Sequence, residues 1–207
     1  MASFKTILRK LMTELKIADL LNAEEYDKKR DSLLSTATSD GETRTVEIGK
    51  NVSLLFENKV TIQSKLQEVL RSSNVTVTED VQEKLSAFNL LLPSTDNLKA
   101  TMTIHCSKEE EQSSVIEDKE GIEEKAWIQI GENDRVFGNS NLDIEPSVIG
   151  DHLKAFILEF NLSNLMIKDL QAGMTLYAGI AHPKYNIRTK EILKKTTISL
   201  ANDFSLI

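Results

Sequence analysis

Two glutamates and a histidine are the residues whose type and setting could carry chemistry here: Glu57, Glu68 and His182. Glu57 ends an alternating run in which Val52, Leu54 and Phe56 share one face and Ser53, Leu55 and Glu57 the other. In the run that follows, Ile62, Leu66, Val69 and Leu70 recur at helical spacing, while Ser64, Gln67, Glu68 and Arg71 form a second, polar stripe. A carboxylate at a strand end and another on the next helix could converge on a metal ion or a substrate amine. His182 closes the alternation Leu176, Ala178, Ile180 just before Pro183, where a half-shielded imidazole is a candidate metal ligand or base. Plainer roles stand beside these. Glu68 can pair with Arg71 one turn away, Glu57 can accept from main-chain donors near Asn58, and His182 can be hydrogen-bonded in a core.

Those residues need a strand, a sharp turn and an amphipathic helix, and Asn58 is placed to cap that helix. Thr45 to Ile48 and Val52 to Phe56 read as a hairpin across Gly49, Lys50 and Asn51. Upstream, Asn22 followed by Glu25 opens a helix through EEYDKKRDSLL that should fray near Gly41. Downstream, Thr78 caps a helix to Asn89, with Val81, Leu85 and Phe88 facing inward, and Leu98 to Cys106 alternates as a half-buried strand. The acidic tract from Lys108 to Lys125 reads as a solvated helix and loop. Ala126 to Ile130 and Arg135 to Phe137 form a second hairpin, and Asn139 to Asp151 a loop. His152 to Phe160 and Met174 to His182 are further strands around a short helix holding Leu165, Met166 and Leu170, with Gly173 as its C-cap; a closing helix starts near Lys194. Strands outnumber crossover helices, and hairpins recur. The expectation is therefore a single α+β domain over 16–207, its largely antiparallel sheet built from hairpins and carrying several helices on one face.

Residues 1–15 form an amphipathic extension in which Phe4, Ile7, Leu8, Leu11, Met12 and Leu15 make a stripe flanked by basic residues. It reads as a helix docked on the domain, as a membrane-surface or targeting helix, or as a stretch preceding a true start at Met12. A net charge of −7 argues against a nucleic-acid partner, which needs a basic surface. No apolar run has the length of a bilayer span. Cys106 is the one cysteine, which fits a reducing cytoplasm and offers nothing for a Cys-rich zinc or iron–sulfur site. It shares an apolar face with Ile104 and Met102, as an inert thiol does. Iron, if used, would be held by carboxylates or by a partner. No glycine-rich phosphate loop, G-x-S-x-G elbow or H-E-x-x-H occurs.

Several short motifs together resemble a prokaryotic family catalogued as a domain of unknown function. They are E-E-Y-x-x-x-R (Glu24 to Arg30), LLFEN (Leu54 to Asn58) and Q-x-x-x-Q-E-x-L-R (Gln63 to Arg71). To these are added K-A-T (Lys99 to Thr101), A-W-x-Q (Ala126 to Gln129) and G-I-x-H-P-x-Y (Gly179 to Tyr185). The last brings Tyr185 beside His182 as a candidate site residue. The resemblance runs from about Lys16 to the tail, and members usually begin near this chain's Met12. Where the family commonly carries an acidic residue before the histidine, this chain has Ala181, which weakens an Asp–His pair there. Such genes often lie beside a rubrerythrin-like protein and an iron–sulfur oxidoreductase subunit, so the resemblance implies a place near electron transfer or peroxide defence. The expected function is an accessory or binding protein of a redox or oxidative-stress system, with the uncovered polar stripe Ser64, Gln67, Glu68 and Arg71, together with Glu57, as its contact surface. Two alternatives stay open: a metal-dependent or small-molecule-binding enzyme using a Glu/His pocket, and a structural homo-oligomer.

Overall fold

A computed structural model describes residues 14–72, 78–105, 121–140 and 155–204 of the protein. The readings made for residues 1–13, for Cys106, for most of the acidic tract and for His152 lie outside the described residues, as does the side chain of Thr78.

Alternation and turn chemistry produce an antiparallel α+β domain, as expected. A 3-10 turn, Ile17–Asp19, leads to helix α1 (Ala23–Arg44), whose first turn is capped by Asn22 Oδ1 accepting from the Glu25 N–H at 3.0 Å. The hairpin β1 (Thr45–Ile48) and β2 (Val52–Phe56) follows, joined through Gly49 at φ 72°, a left-handed value glycine adopts freely. Next come α2 (Lys59–Ser72), α3 (Thr78–Asn89), β3 (Asn97–Ile104), β4 (Ala126–Ile130), β5 (Val136–Phe137) and β6 (Ala155–Asn161). The chain closes with α4 (Asn164–Gln171), β7 (Leu176–His182), β8 (Tyr185–Arg188) and α5 (Lys194–Asn202). The return strand β8 after Pro183 was not legible in the sequence.

The strands divide between two four-stranded sheets, β1-β2-β3-β6 and β5-β4-β7-β8, where the pattern alone implied one. Each buries one face against the other. Leu54, Phe56, Met102 and Phe160 from the first sheet share a core with Ile128, Leu176 and Ile180 from the second. The sheets are tied at both edges: Tyr185 Oη donates to the Ile48 carbonyl at 2.7 Å, and Asn139 exchanges main-chain bonds with Glu159.

Helices cover the outer face of the first sheet. Ile62, Leu66, Leu85, Phe88 and Leu91 form a second apolar cluster there with Leu15 and with Ile157 of β6. That cover explains two departures from the sequence reading. Strand β3 is buried on both faces rather than one, because Lys99, Thr101 and Thr103 point under the helices. Helix α1 passes Gly41 and continues to Arg44, whose fully enclosed guanidinium donates to the carbonyls of Phe56 (2.8 Å) and Glu57 (3.2 Å), to Ser199 Oγ (3.0 Å) and to Asp203 (2.5 Å). Long-range bonds of this kind outweigh the roughly 1 kcal/mol by which glycine disfavours a helix interior.

Candidate functional site

Between α1, α2 and the outer face of the β1–β2 hairpin lies a cleft of about 550 Å³. Leu34 and Ala37 line one wall, Ser64 and Lys65 the other, with Thr45, Glu47 and Leu55 along the sheet. Behind the Lys65 wall, outside the cleft lining, sits Glu57. The alternation of β2 puts this carboxylate on the helix-facing side, where it is fully buried. It accepts from Thr61 Oγ1 at 2.6 Å, from Thr101 Oγ1 of the neighbouring strand, and from Lys65 Nζ at 2.5 Å. Asn58 caps α2 by accepting from the Thr61 N–H at 3.0 Å, which starts the helix so that Thr61 and Lys65, one turn apart, both face Glu57. The buried charge is thus paired and hydrogen-bonded. The Lys65 side chain keeps 27% of its exposure and reaches the cleft, where its ammonium can still donate to an acceptor oxygen.

The polar stripe of α2 is mostly engaged by α1 and the segment before it. Gln67 accepts from the Leu21 N–H at 2.6 Å and donates to the Leu21 carbonyl at 3.2 Å, as though it were a strand neighbour. Glu68 receives two bonds from Arg30, at 2.8 and 2.7 Å, and one from Tyr26 Oη at 2.8 Å. Arg30 above all, with Tyr26, holds the Glu68 carboxyl below its usual value against the opposing effect of burial. In turn, burial and the bond to Glu68 push Tyr26 up to about 12. Arg71 pairs with Asp27 at 2.7 Å. The motifs E-E-Y-x-x-x-R and Q-x-x-x-Q-E-x-L-R therefore recognise each other across two helices. Of the stripe, Ser64 is the member that lines the cleft.

His182 and Tyr185 belong to the second sheet, directly paired at the β7–β8 turn. His182 Nδ1 accepts from the Lys184 N–H at 3.3 Å, and Tyr185 serves the inter-sheet tie to Ile48. Glu57, Glu68 and His182 thus have separate partners. Among the described residues, no three His, Cys, Asp or Glu side chains gather to hold a metal ion.

Sequence reasoning missed Lys65, Thr61 and Thr101. A signal existed for the last: the polar side of the β3 alternation, Lys99, Thr101 and Thr103, is one a strand buried on both faces must bond internally. Arg30 and Tyr26 were visible only as motif letters.

No curated protein sequence matches this chain. It is similar to a solved structure, a novel protein of unknown function from Burkholderia pseudomallei K96243. The TM-score is 0.84 at 29% identity, covering 91% of this chain and 98% of that one. Among the described residues, no helix is long and apolar enough to cross a membrane. The family described as Protein of unknown function (DUF3501) matches residues 14–204, and the chain belongs to that family.

Proposed function

We propose that the chain is a non-enzymatic binding protein serving a redox or oxidative-stress system, and that its ligand or a partner side chain enters the cleft between α1 and α2. The observation that carries this reading is the lysine fixed at the cleft wall. Glu57 and Thr101 hold Lys65 Nζ on one side, which leaves the ammonium a donor direction toward an incoming oxygen. Leu34, Ala37 and Leu55 offer an apolar bed beside it. A few fixed polar groups within an apolar concavity are what a binding site requires. An ammonium committed to a buried carboxylate recognises; it does not attack.

The partner class follows from the resemblance drawn above, a rubrerythrin-like protein or an iron–sulfur oxidoreductase subunit. Each is coexpressed with the tagged chain and recovered by pull-down, beside a Ser64→Arg variant that fills the cleft from a half-exposed position. Retention by the intact chain and its loss in the variant support the reading. No retention by the intact chain, or equal retention by both, overturns it.

A second reading, the homo-oligomer, is favoured by Leu193 (65% exposed), Leu165 (61%), Ile198 (49%) and Met174 (44%), which lie on or beside α4 and α5. Light scattering that shows a monomer at high concentration removes it.

A further inference from the structure

The outer face of the second sheet carries a feature independent of the cleft. Trp127, Gln129 and Phe137 lie on that side of β4 and β5, and Tyr177 and Arg188 on that side of β7 and β8, opposite to the core-facing Ile128, Ala178 and Ile187; Phe137 and Arg188 are exposed there, whereas Trp127 is buried. The Arg135 guanidinium lies over the Trp127 ring at 4.1 Å from its centroid, and the Arg188 guanidinium over Tyr177 at the same 4.1 Å. Gly179 permits this face: a Cβ at that position would sit 2.5 Å from the Ile187 carbonyl oxygen and closer still to the indole.

The chain has more acidic than basic residues, 32 against 25, and spends its other described arginines on carboxylates. Arg30 pairs with Glu68, Arg44 with Asp203 and Arg71 with Asp27. Arg135 and Arg188 alone among the described arginines are exposed with side chains that make no ion pair or hydrogen bond among the described residues and lie instead on aromatic faces. A guanidinium lying flat on a ring keeps its in-plane N–H groups for a carboxylate, with part of its side-chain entropy already lost. Gln129 is paired with Tyr177 and Trp127 with Gly179, so the two rings are diagonal neighbours on one face. That geometry spaces the supports by about 7–8 Å. Alternate residues of an extended chain lie roughly 6.6–6.8 Å apart on one side.

We infer that this face docks an extended acidic segment of a partner protein, with carboxylates at alternate positions meeting Arg135 and Arg188 and the intervening backbone running beside Phe137 and Tyr177. Two arginines on a chain of net charge −7 suit a short acidic motif and not a polyphosphate backbone.

Trp127 is the single tryptophan and is buried beneath Arg135, so its emission reports on changes in that stacked arginine. The probes are an acetylated octapeptide alternating Thr and Glu, its Thr/Gln counterpart, and an eight-nucleotide oligothymidylate, each titrated into the full chain at low salt. A saturable change with the Thr/Glu peptide alone, weakened by salt, is expected. Arg135→Ala and Arg188→Ala, both at exposed positions and checked for folding by circular dichroism, should each weaken binding about five- to tenfold. Arg135→Lys should fall between, keeping the charge and losing the fork. Failure of the Thr/Glu peptide to bind, equal binding of the Thr/Gln peptide, tighter binding of the oligothymidylate, or unchanged binding in both alanine variants overturns the inference. Because none of these probes involves Ser64 or Lys65, the outcome is separable from that of the cleft.

Discussion

Replacing Lys65 by Met tests whether Glu57 is held as an ion pair or only as an acceptor of hydroxyls. The Glu57 side chain has no exposure, and Lys65 is its one cationic partner among the described residues. Truncation strands a carboxylate with the hydroxyls of Thr61 and Thr101. Breaking a fully buried pair by removing one partner costs about 3–5 kcal/mol. Lys65 retains 27% of its side-chain exposure, so water can replace part of what is lost. The expected cost is therefore at the lower margin, about 2–3 kcal/mol. Glu57→Gln alone should cost about 2 kcal/mol, since an amide facing an ammonium offers one acceptor and a repelled donor group. Neither penalty survives intact when both change: the double variant should lose at least ~1.5 kcal/mol less than the sum. Urea unfolding followed by Trp127 emission gives all four stabilities. Additivity within about 0.5 kcal/mol, or a Lys65→Met cost below that figure, would refute the assignment of Lys65 to Glu57 and with it the fixed lysine on which the cleft depends.

Other expectations follow from the same contacts. The Glu68 and Asp19 carboxyls sit below their ordinary values, Glu68 through Arg30 and Asp19 first through the Lys16 N–H and then Lys59. A depressed folded value contributes stability above the unfolded value, near 4.5 for Glu68, and loses it as pH falls through the folded one. Urea midpoints of Glu68→Gln should thus be lower than wild type near neutrality and depend less on pH between about 5 and 3. Arg44→Met removes a donor from two carbonyls and from Asp203 at a site with 1% exposure, and should cost about 3–5 kcal/mol, seen as a loss of thermal midpoint. Gly179→Ala forces the indole to move and should cost about 1–3 kcal/mol while shifting Trp127 emission; an unchanged spectrum at wild-type stability would contradict the packing described. Tyr26 should ionise near 12 in an ultraviolet titration of the folded protein, and its contribution to stability falls as pH climbs from 10 toward that value.

Most element positions were legible because local chemistry decides them. The β1–β2 hairpin, the Asn22 and Asn58 caps, Gly173 at φ 82° after α4 and the closing helix all rest on residues within four positions of one another. What escaped depended on distance in the chain. Glu57 was singled out from its place on the strand, yet its partners Lys65 and Thr101 stand 8 and 44 residues away. Glu68 was read as a member of the polar stripe, free to converge on a ligand or to pair with Arg71, and instead it meets Arg30 from 38 residues upstream while Arg71 meets Asp27. The alternation of β3 indicates two faces of different polarity. It does not reveal that helices cover the polar one.

The sequence by itself determined which residues alternate, where caps and turns fall, and that acidic groups exceed basic ones, since each follows from nearest neighbours or from composition. Only the tertiary structure decided that the strands form two sheets, that the polar stripe of α2 is spent largely on α1, that Lys65 reaches a cleft and that two arginines stack on the outer side of a sheet. A charge becomes a contact, a burden or a free donor according to what lies across from it, and that pairing is fixed when distant segments pack.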